Sequence, residues 1–346
     1  MDFTLSDEQL MVAAAARTLL SDICGPDHWH RLMHDGRAFD PARWAALVEN
    51  GLTAVLMPET AGGMGLAELD FALVAIEAGY AALPEPLTDS AGVAMPMLAQ
   101  LAPGHALLAD PAAIIALAPA INPWVAAADV ASAIMVERDG RALLVRRDDA
   151  TLTPVETIDP LRRLFRVDFA RAEDLGPADW DLALDRAALF AAAQGLGLAQ
   201  RSVDLAVAYA RDRMQFGKPI GSYQAVKHHL ASAQVGIEFA RPVVIAAAAD
   251  CPSRDIYARA RISEAKLVAL DAADSAARAA IQVHGAMGYS WEVDVHLFLK
   301  RALALTNAWG TPHFHRQRVA ARVFTRPTGP DTTFARDPIE NETPHA

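Results

Sequence analysis

Cysteine, aromatic residues and positive charge are all scarce in this sequence of 346 residues. The two cysteines, Cys24 and Cys251, are too few for a disulfide framework or a cysteine-based zinc site, so a reducing compartment is expected. Aromatic residues make up only 7% of the chain, which disfavours an aromatic platform for nucleic-acid bases. Lys and Arg number 31 against 42 Asp and Glu. The resulting net charge of −11 argues against a duplex DNA binder.

No targeting or membrane-spanning segment is recognisable in the sequence either. The N-terminal residues MDFTLSDEQL contain no basic region followed by an apolar one, so they predict no signal peptide. The longest apolar stretch, residues 114–136, is interrupted by Pro119, Pro123 and Asp129, which makes it a poor membrane span. These absences predict a cytoplasmic protein that binds neither membrane nor nucleic acid.

Apolar residues, and alanine above all, are abundant. Hydrophobic residues make up 53% of the chain and charged residues 21%, a balance that excludes a disordered protein. The length is sufficient for two or three domains with a large core. Alanine-rich stretches suit long helices that pack closely. We therefore expect a mostly α fold with a small β domain.

Hydrophobic periodicity divides the chain into parts of different texture. Residues 1–112 predict an N-terminal all-α domain, and residues 113–180 predict a small middle β domain. Residues 181–326 predict a C-terminal four-helix bundle, because long apolar-periodic segments are joined by short loops. Residues 327–346 are polar and proline-rich and predict a disordered tail.

Local signals mark several element boundaries. A capping box at Ser6 to Gln9 and the pair Asp40-Pro41 each predict a helix start, and two further N-terminal helices are predicted near residues 67–82 and 89–101. Asp139-Gly140 predicts a hairpin turn. The predicted strands lie near residues 130–137, 141–147, 151–158 and 164–169. The predicted bundle helices lie near residues 183–212, 223–250, 254–284, 291–308 and 312–325.

Two segments at the ends of predicted long helices carry groups that could hold a cofactor. Residues 213–220 read RMQFGKPI, in which Arg213 could clamp a phosphate, Phe216 could stack on a planar ring and Gly217 permits a close backbone approach. Residues 282–289, QVHGAMGY, offer a glutamine and two glycines in a similar place. Each segment alone is better explained as an ordinary helix terminus with a cation, a cap and a turn.

Neither the histidines nor the glycine-rich loop predicts a further site. His30 and His34 stand four residues apart, and the rings of His228 and His229 point in different directions from a helix. A histidine pair without further ligands predicts no metal site. Residues 58–65, PETAGGMG, lack the Lys-Ser/Thr pair that follows a phosphate-binding loop.

Together the two helix-end segments resemble the acyl-CoA dehydrogenase family. The resemblance is carried by R-x-Q-F-G-K at residues 213–218, by Gln224 in SYQAVKHHLA and by Q-V-H-G-x-x-G-Y at residues 282–289. The loop PETAGGMGL at residues 58–66 and the order of helical, β and bundle regions also match. The resemblance covers about residues 1–325.

The resemblance implies an FAD enzyme. In the family, a carboxylate base removes the α-proton of an acyl-CoA thioester and the β-hydride passes to the flavin. The equivalent segments contact the FAD of the neighbouring subunit. Carried over, Arg213, Gln215 and Phe216 would grip the adenosine–pyrophosphate end, and Gln282 and Gly285 would contact the same cofactor.

The positions of the family's catalytic base hold no carboxylate in this sequence. The Tyr-Glu-Gly-Thr element that carries the usual glutamate corresponds to residues 308–311, AWGT, which puts Trp309 at the base position. The alternative position, near the start of the first bundle helix, is Ala187. Asp185 is one candidate for an unconventional base. Glu292 is another, although the helix N-terminus predicted there would lower the pKa of its carboxyl group and favour a capping role.

The β domain also departs from the family pattern. It is short and lacks the Thr-Glu-Pro-x-x-Gly-Ser-Asp and Trp-Ile-Thr stretches that hold the flavin ring, of which residues 117–122 are a remnant at most. This combination resembles the short subunits of heteromeric acyl-CoA dehydrogenases of bacterial steroid side-chain degradation, as do residues 159–163, 288–296 and 300–302. The resemblance implies a homologous partner in an α2β2 assembly, an electron-transfer acceptor and an acyl-CoA substrate, with a steroid side-chain thioester as one candidate.

The sequence leaves three functions open. The first is the subunit without a base in such a heteromeric dehydrogenase. The second is a self-sufficient homomeric flavoprotein dehydrogenase that uses Asp185 or Glu292. The third is a non-enzymatic assembly subunit of the same fold. Activity of the isolated chain separates the first two, and full activity of the partner alone would indicate the third.

Overall fold

The computed structural model describes residues 4–122, 124–251, 253 and 255–325. It confirms the predicted mostly α fold with a small β region. The predicted tail at residues 327–346 lies outside the described residues. The domain boundaries at residues 112 and 180 stay predictions.

The helices of the N-terminal region are α1 (Asp7–Ile23), α2 (Pro26–His34), α3 (Pro41–Glu49), α4 (Glu68–Tyr80), α5 (Leu87–Asp89) and α6 (Met95–Leu101). The predicted capping box begins α1, since the Ser6 hydroxyl accepts from the Gln9 N–H at 3.2 Å. The Gln9 side chain in turn accepts from the Ser6 N–H at 3.0 Å. The Asp40 carboxylate caps α3 by accepting from the Ala42 N–H at 2.9 Å.

Two N-terminal helices differ from the prediction. Helix α2 is not among the predicted helices; it starts at Gly25-Pro26, with Gly25 as the N-cap and Pro26 in the first turn, where a missing N–H costs little. The helix predicted from Asp89 to Leu101 contains a π-helical turn at Ser90–Ala94 between α5 and α6.

The strands of the middle region are β1 (Ile115–Ala118), β2 (Val125–Ala126), β3 (Ala133–Arg138), β4 (Arg141–Arg146), β5 (Ala150–Val155), β6 (Leu164–Phe169) and β7 (Glu173–Pro177). They form one sheet in the order β1-β3-β4-β7 and a second in the order β2-β6-β5. The Asp139-Gly140 turn joins β3 to β4, with both residues at positive φ as a type I′ hairpin turn requires.

Strands β1, β2 and β7 were not predicted. β1 runs parallel to β3 and is almost entirely buried, so its short apolar run carries no alternation that would mark it as a strand. β2 has only two residues, and β7 contains Gly176 and a register shift against β4. Local sequence signals are weak in all three cases.

The C-terminal region contains α7 (Trp180–Asp212), the short strands β8 (Met214–Gln215) and β9 (Lys218–Pro219), α8 (Gln224–Asp250), α9 (Ile256–His284), α10 (Val295–Asn307) and α11 (Pro312–Thr325). Helix α9 lies at the centre and packs against the other four. Alanines fill much of this interface, as the composition predicts.

Helices α4 and α7 cross at two glycines, which ties the N-terminal helices to the bundle. A methyl group on Gly197 would overlap the carbonyl oxygen of Ile76, and one on Gly79 would overlap the carbonyl oxygen of Gln194. Only glycine allows the two backbones to approach this closely.

By length and composition, α7 and α8 are apolar enough to cross a membrane. Most of the apolar window of α7 is buried against α4 and α9, as in the central helix of a bundle. Less than half of the corresponding window of α8 is buried, and its outer face exposes Val235 and Phe239. Val235 and Phe239 thus form a small exposed apolar face on α8.

Candidate functional site

The segment that starts with Arg213 forms a tight hairpin at the end of α7. Strands β8 and β9 pair, and the Ile220 N–H donates to the Arg213 carbonyl at 2.8 Å. The Tyr223 ring lies edge-on to Phe216, with ring centroids 6.4 Å apart, and Lys218 Nζ lies 4.2 Å from the centroid of the Tyr223 ring. Phe216 projects outward with 92% of its surface exposed and φ at +51°. The hairpin thus holds an apolar ring in solvent.

The predicted cofactor residues of the two segments are all exposed: Arg213, Gln215, Phe216, Gln282 and Gly285. Both segments end long helices, and the Tyr209 ring of α7 stacks on the His284 ring of α9 at 4.2 Å. This contact brings the ends of the two helices together. The structure therefore places the two predicted groups at one end of the bundle.

Gly285 ends α9 with φ at +60° and ψ at −135°, a conformation that side-chain-bearing residues rarely adopt. A methyl group on Gly285 would have no described atom within 4 Å. The surface around it is open, so a ligand or a partner backbone has room to approach. Tyr289 and Trp291 follow closely and are also exposed, which adds apolar surface to this end of the bundle.

Ala187 and Trp309, the two residues predicted to occupy the family's base positions, line one cleft of about 700 Å³, measured with its open mouth. The cleft lies where the N-terminal helices, the β region and the bundle meet. Neither residue can accept a proton from carbon. The carboxylates that line the cleft within the described chain are Glu85, Asp89 and Asp129.

Each of these carboxylates already has a cationic or N–H partner. Glu85 accepts from Arg43 Nε at 2.8 Å, and Asp129 accepts from Arg163 Nη1 at 2.5 Å. The Asp89 Oδ1 atom accepts from the Trp309 indole N–H at 3.0 Å. Asp89 is the carboxylate in contact with the base position, and sequence reasoning missed it because it lies 220 residues away in the chain.

Trp309 is bound at every polar atom. Its φ is +55°, and its indole N–H donates to Asp89. With the Asn122 amide oxygen turned towards it, the Trp309 backbone N–H donates a hydrogen bond of 2.7 Å. His315 Nε2 lies 2.9 Å from the Trp309 carbonyl oxygen and, protonated there, donates to it. The predicted base position thus holds a buried tryptophan whose polar atoms are all hydrogen-bonded.

Lys266 stabilises the turn on which Trp309 lies. Its buried ammonium group donates to the carbonyl oxygens of Ala308 and Gly310, the latter at 2.6 Å. Burial and the nearby Arg162 lower the pKa of Lys266 to about 7, while the carbonyl acceptors favour its charged form. Burial and the Lys266 charge likewise lower the pKa of His315 to about 3.

Asp185 does not line the cleft. Its carboxylate is buried, accepts from Arg318 Nη2 at 2.5 Å and lies 3.6 Å from Arg259 Nε. Burial raises the pKa of Asp185, and the two guanidinium groups oppose that shift. Asp185 therefore stabilises the fold through ion pairs with Arg318 and Arg259. Its burial among these guanidinium groups, away from the cleft, argues against a role as base.

Glu292 lies in an exposed turn before α10 and is not the N-cap predicted for it. Helix α10 begins after Asp294, whose carboxylate is 2.5 Å from His30 Nε2. Glu292 does not line the cleft either. The predicted helix N-terminus at residue 291 is therefore four residues too early, because residues 291–294 form turns and a bend.

The remaining sequence motifs have structural explanations. In the loop of residues 58–66, the N–H groups of Gly63, Met64, Gly65 and Leu66 donate to backbone carbonyls, so they are not available to a phosphate. In the described part of the chain, no cluster of three or more His, Cys, Asp or Glu side chains could hold a metal ion.

The comparisons with known proteins agree with this architecture. Residues 6–103 match the acyl-CoA dehydrogenase N-terminal domain, and residues 178–324 match the acyl-CoA dehydrogenase C-terminal domain. The acyl-CoA dehydrogenase IpdE2 of Mycobacterium tuberculosis is 36% identical over 329 residues, covering 94% of this chain and all of that protein. The chain therefore belongs to the acyl-CoA dehydrogenase family.

Solved structures share the fold. The ChsE4–ChsE5 complex of Mycobacterium tuberculosis matches with a TM-score of 0.83 and 23% identity, over 95% of this chain and 100% of that chain. The Tcur3481–Tcur3483 steroid acyl-CoA dehydrogenase matches with a TM-score of 0.80 and 23% identity, over 93% and 99% of the two chains. Both of these neighbours pair two different chains.

Proposed function

We propose that this chain is the subunit without a catalytic base in a two-chain, FAD-dependent acyl-CoA dehydrogenase. The complex would carry out α,β-dehydrogenation of an acyl-CoA thioester in the cytoplasm, and a bulky steroid side-chain thioester is the candidate substrate. When bound, FAD accepts the hydride from the β-carbon of the thioester. The homologous partner would supply the base and most of the flavin contacts, in an α2β2 assembly that passes its electrons to a separate acceptor.

The observation that carries the proposal is the contrast between the two sites. At the base position, Trp309 is buried and fully bonded, and its neighbour Asp89 accepts its indole N–H. Arg213 and Phe216 are exposed at the same end of the bundle as Gln282 and Gly285, which are also exposed. The chain thus presents exposed groups that could bind a cofactor held by a partner, but it has no carboxylate at the predicted base position.

The exposed groups suit FAD chemically. A guanidinium group binds a pyrophosphate through charge-assisted hydrogen bonds, and an exposed aromatic ring stacks on a planar base. The open surface at Gly285 permits close approach. In the β region, by contrast, Asn122 is engaged with Trp309. These features support a chain that completes a cofactor site on its partner.

The pairing of chains in ChsE4–ChsE5 and Tcur3481–Tcur3483 supports a homologous partner. So does the exposed apolar face of α8, where Phe239 is 75% exposed. Tcur3481–Tcur3483 is a steroid acyl-CoA dehydrogenase, which supports a steroid side-chain thioester as the substrate class.

The first test is the visible spectrum of the chain purified alone and after co-expression with a homologous acyl-CoA dehydrogenase chain. The proposal expects little flavin in the chain alone and bound flavin with activity in the complex. About one FAD per isolated chain, with activity that Asp89→Asn abolishes, would instead indicate a self-sufficient enzyme. Full activity of the partner alone would indicate an assembly subunit.

A variant pair tests the cofactor contact itself. Arg213→Ala in the complex should weaken FAD binding at least tenfold, because a hydrogen bond to a charged group contributes about 1.5–3 kcal/mol. Arg211→Ala is the matched control, since Arg211 is also exposed and lies in the last turn of α7. Unchanged flavin affinity in the Arg213 variant would contradict the assignment.

A further inference from the structure

The loop of residues 159–163 is fixed from both sides. The Asp159 carboxylate accepts from the Leu161 N–H at 3.0 Å and from Arg301 Nε, and the Asp159 carbonyl accepts from the Arg162 N–H at 3.1 Å. Arg163 is held through its ion pair with Asp129. The backbone of Arg162 therefore has little freedom, and its side chain enters the cleft from a rigid loop.

The guanidinium group of Arg162 is poorly used within the protein. Its side chain is 18% exposed, and its ion pair to Asp89 Oδ2 spans 3.9 Å, which is beyond hydrogen-bond distance. The guanidinium group of Arg162 makes no hydrogen bond to any residue that the structure describes. The two other arginines of the cleft are better paired, Arg163 with Asp129 and Arg301 with Asp159. Arg162 thus presents unused N–H donors in a confined space.

The rest of the cleft limits what these donors could bind. Its walls include the apolar side chains of Phe39, Val130, Ala187, Ala191, Leu305 and Trp309. The single underused cation and the adjacent Asp89 disfavour an anion of multiple charge such as a phosphate. A planar carboxylate matches the fork of a guanidinium group, and a short hydrocarbon body matches the apolar walls.

We propose that the cleft is a binding site for a small apolar monocarboxylate, anchored by the guanidinium group of Arg162. The site is separate from the exposed flavin contacts at the end of the bundle and does not depend on the function proposed for them. The cleft that carries the base in catalytic members of the family would here bind a ligand without reacting with it.

The test is titration of the full chain with hexanoate and with hexanamide, followed by isothermal calorimetry and by tryptophan fluorescence. Trp309 lines the cleft, so its emission should respond, and Trp309→Phe identifies its share of the signal. We expect hexanoate to bind at least tenfold more tightly than the neutral amide. Equal affinity for the two compounds, or no binding of either, would overturn the proposal.

Variants locate the site. Arg162→Gln should weaken hexanoate binding at least tenfold, whereas the matched control Arg141→Gln, an exposed arginine paired with Asp174, should leave it unchanged. Asp89→Asn should strengthen binding because it removes the competing carboxylate, and this variant serves if Arg162→Gln does not fold. Unaltered hexanoate binding in both the Arg162 and Asp89 variants would refute the site.

Flavin content measured in the same samples separates this inference from the proposed function. Loss of hexanoate binding with normal flavin in the partner complex supports the carboxylate site. Loss of flavin in Arg162→Gln would show that the cleft holds the cofactor and would overturn it. The behaviour of Arg213→Ala decides the proposed function independently.

Discussion

The ion pair between Arg301 and Asp159 joins three parts of the fold, and its removal gives the sharpest prediction for stability. Both side chains are buried. Arg301 also donates to the Leu83 carbonyl at 2.8 Å and to the Leu161 carbonyl at 3.3 Å. One guanidinium group on α10 therefore binds the N-terminal helices and the β region at once.

The magnitude follows from what each substitution leaves behind. Arg301→Met keeps most of the side-chain volume but leaves a buried carboxylate and two carbonyls without this donor, so we expect a loss of about 3–5 kcal/mol in the free energy of unfolding. Asp159→Asn keeps an acceptor for the Leu161 N–H and leaves Arg301 its two carbonyl partners, so its cost should be smaller, about 1.5–3 kcal/mol.

The double variant identifies the coupling. Arg301→Met with Asp159→Asn removes both charges, so its cost should fall short of the sum of the single costs by about 1–3 kcal/mol. The assay is urea unfolding followed by far-UV circular dichroism and tryptophan fluorescence, with hydrogen exchange at residues 83–87 and 159–163 as a local measure. Arg141→Met, which breaks an exposed pair, should cost less than about 1 kcal/mol. Strict additivity of the two core substitutions would refute the reasoning.

Three further predictions rest on single features. Gly197→Ala should destabilise the protein by several kcal/mol because its methyl group overlaps the α4 backbone. Gly236→Ala, whose methyl group would only make an ordinary contact with Ala272 at 3.9 Å, should be neutral or stabilising by up to about 1 kcal/mol, and thermal unfolding measures both. The lowered pKa of His315 means that the unfolded chain binds an extra proton between pH 3 and 6.5, so stability falls with decreasing pH by up to about 1.4 kcal/mol per unit from this group. His315→Gln should remove that slope in urea titrations at pH 5, 6 and 7, and an unchanged slope would contradict it. Burial raises the pKa of the Cys24 thiol to about 11 and raises that of Cys251, so a thiol reagent should modify neither in the native protein and both after unfolding.

The sequence predicted features that local rules determine. The capping box at Ser6, the Asp139-Gly140 turn and the long bundle helices each depend on neighbouring residues, and the structure confirms them. Strand β1 was missed because burial on all sides erases the alternation that identifies a strand. Helix α2 was missed because Gly25-Pro26 is equally a turn signal and a helix start.

The candidate site also has features that the local sequence predicts and features that depend on residues far apart in the chain. Motif spacing placed the exposed cofactor residues at two helix ends, but only the Tyr209–His284 stack shows that these ends meet. The substitutions at Ala187 and Trp309 were visible in the sequence, whereas the replacement network was not. Lys266 and Asp89 contact the turn at Trp309 from positions 43 and 220 residues away, and no local pattern marks such partners.

The network explains how the fold tolerates the loss of its base. A glutamate at position 309 would need solvent, a substrate or a cation to offset its burial, whereas the tryptophan fills the space and returns an N–H to Asp89. Lys266 donates to the carbonyls of Ala308 and Gly310, so the irregular backbone of this turn leaves neither carbonyl unsatisfied. The Trp309 turn instead contacts the N-terminal helices through Asp89, the β region through Asn122 and the bundle through Lys266, so it holds three parts of the protein together. Such packing in place of a reactive group is what the proposed role, a subunit whose partner supplies the base, would require.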